Sequence, residues 1–388
     1  MKQLAFVVQR YGEDVTGGSE SLARALAERL DDYEVTVFAT CARDYVTWRN
    51  ELPAGAADLR GVRVLRFPVA EERDLAAFNR FSDALYDQPH GDEAEAAWLR
   101  QQGPYVPELV EALRRRQGEF VAVVFFTYLY YPTCAGLEAA PARSILVPTA
   151  HDEPPLRLRL YERVFALPRA FAFLTRPEEA LVRSRFALGE RPARLAGMGV
   201  EVPPHPDVAA FRARHGVVGP YLLYAGRIDA GKGCEEMVAH YARWRREAAG
   251  EAPLLLIGKL AMPEPQVPGV RYLGYLEEAE KAAAVAGASV VVCPSPYESL
   301  SISLLEGFAY GVPGLVSARS EVLLDHCRRA GGGLYYADGD EFGECLSLLL
   351  ADGDLRRALG EGGRRYVAAE YRWEVVLGRY RELIAALG

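Results

Sequence analysis

Short apolar runs alternate with longer amphipathic stretches along most of this 388-residue chain, and this alternation restricts the fold more than any other feature. In the first half, strands are predicted at Leu4–Gln9, Tyr33–Ala39, Val62–Phe67, Phe120–Phe126, Ser144–Ala150 and Ala170–Leu174. A Gly-rich turn, Thr16–Ser19, follows the first strand, and a helix from Pro177 with Glu178 in its first turn follows the last. Because strands that alternate with helices form crossover units, we expect a mostly parallel sheet covered on both faces.

The alternation stops at Val200–Pro206 and then starts again. This segment has three prolines in four residues, which cannot continue a helix or a central strand, so a linker is predicted here. Beyond it we predict strands at Tyr221–Ala225, Pro253–Ile257 and Ala288–Cys293, and helices at Glu235–Glu247, Glu277–Ala286, Leu300–Tyr310, Asp340–Leu350, Leu355–Glu370 and Trp373–Leu387. The sequence therefore predicts an α/β protein with two Rossmann-like, doubly wound parallel-sheet domains, 1–202 and 207–370.

Charge and cysteine content exclude several classes of protein. The 45 basic and 53 acidic residues give a net charge of −8, so the total charge attracts neither nucleic acid nor an anionic membrane. The six cysteines form no C-x-x-C pair and show no zinc-site spacing. An apolar run of five residues before Gln9 is too short for a signal peptide, so we expect reduced thiols and a cytoplasmic protein.

Two segments bear on membrane contact. Val121–Ala140 is apolar, but Pro132 and Glu138 favour a buried strand, a loop and a short helix over a transmembrane segment. Arg114–Arg116 is predicted to end a helix, where it complements the helix dipole. Peripheral contact of this basic run with a membrane surface is the alternative, if an acceptor is lipid-linked.

The turn after the predicted strand Tyr221–Ala225 carries two cations. Gly226–Lys232 reads G-x-x-x-x-G-K, the opening of a phosphate-binding loop. Gly233 stands where a hydroxyl should hold magnesium, which argues against an NTPase. Arg227 and Lys232 beside a helix N-terminus would suit a pyrophosphate without a metal. A solvated turn is the alternative, and this motif taken alone slightly favours it.

A second motif follows the strand that ends at Cys293. Glu298 precedes a predicted helix and Glu306 lies within it, ~12 Å apart along a helical axis. The free amides of Leu300–Ser303 lie between them and favour an anion. One carboxylate could therefore face hydroxyls at one end of a diphosphate, and the other carboxylate could face hydroxyls at the far end. The alternative is a cap at Glu298 and a solvent-facing helix residue at Glu306.

Together these motifs resemble glycosyltransferase family 4, retaining enzymes of the GT-B fold. The resemblance is carried by Gly-Arg-x4-Lys-Gly, by Glu-x7-Glu after a Pro-Ser strand end and by Gly-x-Pro, and more weakly by Gly17–Glu20, Ala150–Asp152, Gly197–Val200 and Trp373. It extends over most of the chain and implies that the first domain binds mainly acceptor and the second a nucleotide-sugar. It also implies that the C-terminal helix, 371–388, returns to the first domain. Ser301 departs from the family, since many members have Gly there, and this leaves the donor sugar open.

The resemblance implies roles for individual residues. Glu306 would bind ribose, Glu298 the hydroxyls of the donor sugar, and Arg227 with Lys232 the leaving diphosphate. The donor side would comprise Gly17, Gly18, Arg227, Lys232, Glu298, Ser299, Leu300, Ser301, Ile302, Ser303 and Glu306. Gly17 and Gly18 would let backbone amides approach the donor phosphate or the acceptor.

The first domain would supply the remaining candidates. His151 would lie near the transferred sugar and would form the catalytic set with Glu298, Arg227 and Lys232, although a satisfied strand-end histidine is the alternative. Asp152 and Glu153 are candidate acceptor-side bases or simple caps. Tyr128 and Tyr130 could stack on an acceptor, but core packing is favoured.

The function implied is transfer of a hexosyl unit, with retention, from a nucleotide-diphosphate sugar to an unknown glycan, lipid-linked or small-molecule acceptor. No metal or other cofactor is expected, because Asp338-Gly-Asp340 and Asp352-Gly-Asp354 are explained as helix N-caps rather than as metal-binding D-x-D motifs. Two alternatives stay open. One is a GT-B-like sugar-nucleotide epimerase, and the other is a catalytically silent protein that binds nucleotide-sugar or glycan.

Overall fold

In the computed structural model, which describes residues 1–15, 17–248 and 251–387, the chain divides into two compact units. The first comprises Met1–Gly197 and the chain from Leu377 onward, and the second comprises Met198–Val376. The predicted boundaries differ from these because residues 198–202 and 371–376 belong to the second unit. There the Val200 amide donates to the Tyr371 carbonyl at 2.7 Å.

The first unit is built on an eight-stranded sheet with the order β3-β4-β2-β1-β5-β6-β7-β8. Its strands are β1 Lys2–Val7, β2 Tyr33–Thr40, β3 Gly55–Leu59, β4 Val62–Phe67, β5 Ala122–Phe126, β6 Ser144–Val147, β7 Ala170–Phe173 and β8 Ala193–Leu195. Its helices before the linker are α1 Gly18–Ala27, α2 Leu75–Asp87, α3 Asp92–Gln102, α4 Pro107–Arg116, α5 Tyr131–Ala139, α6 Leu160–Ala166 and α7 Arg176–Arg185. All pairings are parallel except that of β3 with β4. The central β5 is buried along its whole length, as a continuous apolar strand covered on both faces should be.

The second unit has a six-stranded parallel sheet with the order β11-β10-β9-β12-β13-β14. Its strands are β9 Leu222–Ala225, β10 Leu254–Ile257, β11 Val270–Tyr272, β12 Val290–Cys293, β13 Gly314–Ser317 and β14 Gly333–Tyr336. The helices are α8 Val208–His215, α9 Cys234–Glu247, α10 Glu278–Ala286, α11 Ile302–Tyr310, α12 Glu321–Ala330, α13 Gly339–Ala351, α14 Gly353–Glu370 and α15 Trp373–Ala385.

Strand order in this sheet reverses between β9 and β12. From β9 the chain moves outward to β10 and β11, whereas from β12 it moves the opposite way to β13 and β14. Such a switch point leaves a crevice at the carboxyl ends of the two central strands, where open α/β sheets bind ligands. The turns that follow β9 and β12 meet at this edge, where they place the predicted donor-site residues Arg227, Lys232 and Glu298.

Several predictions about local structure are confirmed. Asp338 caps α13 by accepting from the amides of Asp340 and Glu341, and Asp352 caps α14 by accepting from the Leu355 amide. The basic run Arg114–Arg116 ends α4. The segment Val121–Ala140 contains β5, a loop and α5. Within the described ranges, every helix is too short or too polar to cross a membrane.

The end of the chain packs with the first unit, as the resemblance implied. Arg381 on α15 donates to Asp32 at 2.8 Å, and Arg194 on β8 pairs with Glu382 at 2.8 Å. The start of the same helix belongs to the second unit, where the Trp373 indole fills the space beside Gly199. A Cβ atom on Gly199 would lie 2.2 Å from Trp373 Cδ2, so no larger residue fits there.

Candidate active site

Both predicted cations of the turn after β9 pair with carboxylates. Asp229 caps the short 3₁₀ turn Ala230–Lys232 by accepting from the Lys232 amide at 2.8 Å, and its second oxygen pairs with the Arg227 guanidinium. The Lys232 ammonium lies 2.8 Å from Glu298 Oε1, so it joins the two motifs across 66 residues of sequence. Both side chains are partly exposed, Arg227 by 46% and Lys232 by 33%, so the turn keeps the solvated character of its alternative while ion pairs orient both cations.

A glycine allows the two strand-end turns to come this close. Gly233 has a φ of +75°, in the left-handed region, and a Cβ atom there would lie 2.6 Å from the Pro294 carbonyl oxygen. The carbonyl belongs to the turn after β12. Any side chain at Gly233 would therefore push apart the turns that hold Lys232 and Glu298.

The turn after β12 ends in an anion-binding backbone conformation. Ser301 is left-handed, with φ 64° and ψ 71°, and the helical residue Ile302 follows it. A left-handed residue next to a right-handed one points successive amides into one concavity, called a nest. In the part of the chain that the structure describes, the amides of Ser301, Ile302 and Ser303 donate to no protein acceptor. We call these three amides the phosphate nest.

Ser301 adopts a conformation that suits glycine better than any other residue. A left-handed L-residue costs roughly 1–2 kcal/mol, which explains why Gly at this position is the easier choice. The Ser301 side chain makes no capping hydrogen bond to α11, so it does not hold the backbone through the start of that helix. Serine in place of the more common glycine at position 301 therefore lies at a strained backbone position.

Glu306 is the second carboxylate of the motif, and it is buried rather than solvent-facing. Its side chain is 12% exposed and lies 2.6 Å from the Lys281 ammonium on α10. Burial raises the pKa of Glu306, and Lys281 offsets only part of that rise. For Lys281, burial lowers the pKa, but the carboxylates of Glu306 and Glu278 together outweigh burial and the net pKa is above the usual value.

Both simpler alternatives for the glutamate pair are wrong. Glu306 does not face solvent, and Glu298 is not the cap of α11, because the capping position is Ser301. Sequence reasoning missed Lys281. Nothing distinguishes this lysine within its acidic helix, and its partner Glu306 is 25 residues away in sequence.

In the first unit, the Gly-rich turn follows β1 and begins α1. Gly17 has a φ of +155°, and a Cβ atom there would lie 2.2 Å from Glu20 Oε2, whereas a Cβ on Gly18 would meet nothing. Glu20 is buried and pairs with Arg10 at 2.5 Å, and the Gln9 amide group donates to it at 2.8 Å. Thr16 of this predicted turn lies outside the described residues. The buried pair behind the glycines was not predicted.

The turn after β6 places His151 beside Glu153. His151 Nε2 lies 3.3 Å from Glu153 Oε2, and the Tyr128 hydroxyl donates to Glu153 Oε1 at 2.8 Å. Asp152 is directed elsewhere, since it pairs with Arg157 and Arg185 at 3.3 and 2.9 Å. Of the two candidate bases, only Glu153 therefore contacts His151.

The tyrosines that follow β5 pack into the protein. Tyr128 is 1% exposed, and its ring lies edge-on against Tyr161 at 4.7 Å. The Tyr130 ring packs against Trp48 at 5.3 Å. The suggestion that Tyr128 stacks on an acceptor is wrong, because neither face of its ring is open to a ligand.

A buried glutamate that was not predicted as a site residue supports the His151 turn. Glu178 accepts from the Ala150 amide at 2.8 Å and from the Leu174 amide at 2.6 Å, and so ties together the chain after β6 and after β7. Burial raises its pKa to about 8, and the two amides limit that rise. The sequence marked Glu178 only as an acidic residue in the first turn of α7.

The predicted residues thus form one cluster in the second unit and two smaller groups in the first. The second unit brings together Arg227, Lys232, Glu298, the phosphate nest and Glu306. In the first unit, Gly17 follows β1 and His151 follows β6, strands that flank β5 in the sheet. Within the described ranges, no group of three or more His, Cys, Asp or Glu residues could hold a metal ion.

Comparison with known proteins gives a sequence match for the part that carries the donor-site motifs. Residues 219–352 match the family described as glycosyl transferases group 1. The chain is 30% identical over 207 residues to an MMP α-(1→4)-mannosyltransferase of Mycolicibacterium hassiacum, a match that covers 49% of this chain and 47% of that protein. It is 29% identical over 180 residues to a glycogen synthase of Thermus thermophilus, covering 45% of this chain and 40% of that protein. The chain thus spans less than half the length of these relatives.

Solved structures match the chain over its full length. Sucrose-phosphate synthase from Thermosynechococcus elongatus superimposes with a TM-score of 0.73 at 19% identity, covering 100% of both chains. Anabaena HepE in complex with UDP and glucose superimposes with a TM-score of 0.70 at 12% identity, also covering 100% of both chains. The fold is GT-B. The predicted fold class is therefore confirmed, whereas membership of glycosyltransferase family 4 stays a prediction.

Proposed function

We propose that this protein is a retaining glycosyltransferase of family 4 that moves a hexosyl unit from a nucleoside-diphosphate sugar to an acceptor not yet identified. The observation that carries the proposal is the phosphate nest at the switch point, with Lys232–Glu298 on one side and Lys281–Glu306 on the other. The names of the relatives, which include a mannosyltransferase and glycogen synthases, support sugar transfer. The UDP complex of HepE supports a nucleotide donor.

The second unit contains groups for each part of such a donor. In our assignment, the amides of the phosphate nest hold the diphosphate, Glu306 accepts from ribose hydroxyls, and Glu298 accepts from hydroxyls of the sugar. A carboxylate that accepts two vicinal hydroxyls suits both roles. The Glu306 and Glu298 carboxylates are largely shielded from solvent and already form ion pairs with Lys281 and Lys232. On binding, the hydroxyl groups of a donor would take the place of other polar partners of these carboxylates.

Arg227 and Lys232 would stabilise the leaving group. As the bond between the anomeric carbon and the diphosphate oxygen breaks, negative charge grows on that oxygen. Cations fixed beside it lower the barrier because they need not reorganise. Both side chains are held by carboxylates, Asp229 and Glu298, that orient them before a donor arrives. We therefore propose transfer without a metal ion.

We assign the acceptor side to the first unit. His151 is the group proposed near the transferred sugar, and Glu153 is the acceptor-side carboxylate in contact with it. Glu178 holds the backbone just before His151 and would act only through that turn. The six cysteines, none of them disulfide-linked, support placing the protein in the cytoplasm.

The two glutamates give the direct test. Hydrogen bonds to a charged group contribute ~1.5–3 kcal/mol, so Glu306→Ala should weaken binding of the bare nucleoside diphosphate by ~10–150-fold. Glu298→Gln should leave that affinity nearly unchanged and lower turnover, because the contact to the sugar tightens in the transition state. Calorimetry with UDP, GDP and ADP, beside transfer kinetics, measures both effects.

A matched control is Glu361→Ala, which removes an exposed glutamate on α14. The proposal fails if Glu306→Ala and Glu361→Ala bind nucleotide equally well. Reversed effects of the two test variants would exchange the roles of Glu306 and Glu298. Nucleotide-sugar binding with neither transfer nor hydrolysis would favour the silent binding protein, and donor conversion without an acceptor would favour the epimerase.

A further inference from the structure

A fully buried histidine lies behind the phosphate nest. His326 on α12 has 0% exposure, and its Nε2 lies 2.8 Å from the carbonyl oxygen of Leu300. Its Nδ1 lies 3.0 Å from the Tyr366 hydroxyl on α14. The sequence motifs did not predict a role for His326, because its partner Leu300 is 26 residues away in sequence.

The hydrogen-bond partners fix the state of the imidazole ring. Burial lowers the pKa of His326 to about 4, so the ring is neutral at physiological pH and carries one N–H. The Leu300 carbonyl can only accept, which places that proton on Nε2. Nδ1 then accepts from the Tyr366 hydroxyl, which in turn accepts from Arg329 at 3.1 Å.

The bond to Leu300 determines where the first amide of the nest points. The Leu300 carbonyl and the Ser301 N–H belong to one planar trans peptide, so they point in opposite directions. A carbonyl held against His326 therefore turns the Ser301 amide away from the core and into the nest. The bond to His326 also supports the left-handed conformation of Ser301, whose side chain does not cap α11.

We propose that His326 is a positioning residue for the donor diphosphate. It locks the Leu300–Ser301 peptide so that the nest keeps its amides converged, and Tyr366 prevents the ring from rotating out of that bond. His326 does not touch the donor. The inference rests on the proposed function, because it takes the phosphate nest as the site of the diphosphate.

The same network continues away from the nest within the second unit. The Tyr366 and Tyr371 hydroxyls are 3.4 Å apart, and the Tyr371 carbonyl accepts from the Val200 amide at 2.7 Å. His326 is therefore anchored on its far side by α14 and by the segment that follows it. An anchored ring can hold the strained peptide, whereas a ring free to turn could not.

The test compares His326→Leu with His326→Gln and with His240→Leu. Leucine fills a similar volume but cannot donate to Leu300, whereas the glutamine amide can donate there and accept from Tyr366. His240→Leu is the control, because His240 lies on α9 among Tyr336 and Phe342 and does not contact the nest. Two ligands serve as probes. The first is the nucleoside diphosphate that binds most tightly among UDP, GDP and ADP, titrated by calorimetry. The second is its parent nucleoside, whose affinity is measured by competition against that diphosphate.

We expect His326→Leu to weaken the nucleoside diphosphate by about fivefold to tenfold, the loss of one oriented hydrogen bond. Nucleoside affinity should not change, since a nucleoside has no phosphate to place in the nest. His326→Gln should return diphosphate affinity to within about twofold of the wild type. A general structural defect would instead lower both affinities and would not be rescued by glutamine.

Two results would overturn the inference while leaving the proposed function intact. One is a folded His326→Leu that binds nucleoside diphosphate like the wild type, and the other is an equal loss for nucleoside and diphosphate. If wild-type protein binds none of the three diphosphates, the proposed function fails and the inference fails with it. If His326→Leu does not fold, Tyr366→Phe replaces it, with a smaller loss of diphosphate affinity expected and an unchanged affinity as the contrary result.

Discussion

At the scale of single residues, the buried Glu178 makes stability depend on pH. Its pKa is about 8 in the folded protein against an ordinary value of 4.5, because burial disfavours the carboxylate. Between these pH values the folded state holds a proton that the unfolded state has released. The contribution of Glu178 to the free energy of unfolding is therefore largest below pH 4.5 and falls as pH rises to 8, by at most ~1.4 kcal/mol per pH unit.

Denaturant unfolding from pH 5 to 9 measures this effect. The wild type should lose stability with rising pH more steeply than Glu178→Gln, whose side chain cannot titrate. Glu179→Gln, which changes the neighbouring and more exposed glutamate of α7, should keep the wild-type slope. If all three proteins give parallel curves, Glu178 does not bind the extra proton.

Single residues also show where prediction from sequence stopped. Glu298 and Glu306 were found because a spacing within one motif identifies them. Lys281, His326 and Glu178 were missed because their partners lie 25, 26 and 28 residues away, on other elements. Such contacts form only when the folded sheet brings distant segments together, so a local sequence pattern does not predict them.

At the scale of elements, the strands and helices that carry the predicted site residues were predictable, whereas five other strands and α12 were not. Fully buried, uninterrupted apolar runs such as β5 and β12 are recognised by composition alone. The missed strands were β3, β8, β11, β13 and β14, which are three to five residues long. Four of them, β3, β8, β11 and β14, are the edge strands of the two sheets, where pairing with a neighbour rather than local propensity makes the strand.

The contact between the two strand-end turns can be tested by its glycine. Gly233→Ala puts a Cβ at a positive φ and 2.6 Å from the Pro294 carbonyl, whereas Gly331→Ala meets a φ of +53° in open space. Gly331→Ala should cost about 1 kcal/mol of unfolding free energy, the price of the backbone conformation alone. Gly233→Ala should cost about 2 kcal/mol more and weaken nucleoside diphosphate binding, because Lys232 and Glu298 move apart.

Denaturant unfolding and calorimetry on both variants separate the two causes. An equal loss of stability in Gly233→Ala and Gly331→Ala would show that the two turns move apart at no additional cost in unfolding free energy. If Gly233→Ala is destabilised but keeps its nucleotide affinity, then nucleotide binding does not depend on the contact between the two turns. Either result would remove the argument that this glycine shapes the site.

At the scale of the whole molecule, charge decides what the donor site must contain. The chain carries a net charge of −8, so a diphosphate gains nothing from the overall field and depends on cations placed locally. Arg227, Lys232 and the phosphate nest are those groups in the second unit. Two oriented cations and three converging amides can stabilise the negative charge that grows on a leaving diphosphate, a role that a divalent metal could otherwise fill.

We therefore expect transfer to proceed without a metal ion. Turnover of the nucleotide-sugar after exhaustive treatment with EDTA should stay within about twofold of the untreated rate, and added Mg²⁺ or Mn²⁺ should not raise it further. Lys232→Met should lower turnover with or without these ions, since it removes a leaving-group cation and frees Glu298 from its partner. Loss of activity on chelation that Mg²⁺ or Mn²⁺ restores would mean that the metal, and not the pair Arg227 and Lys232, carries the diphosphate charge in the transition state.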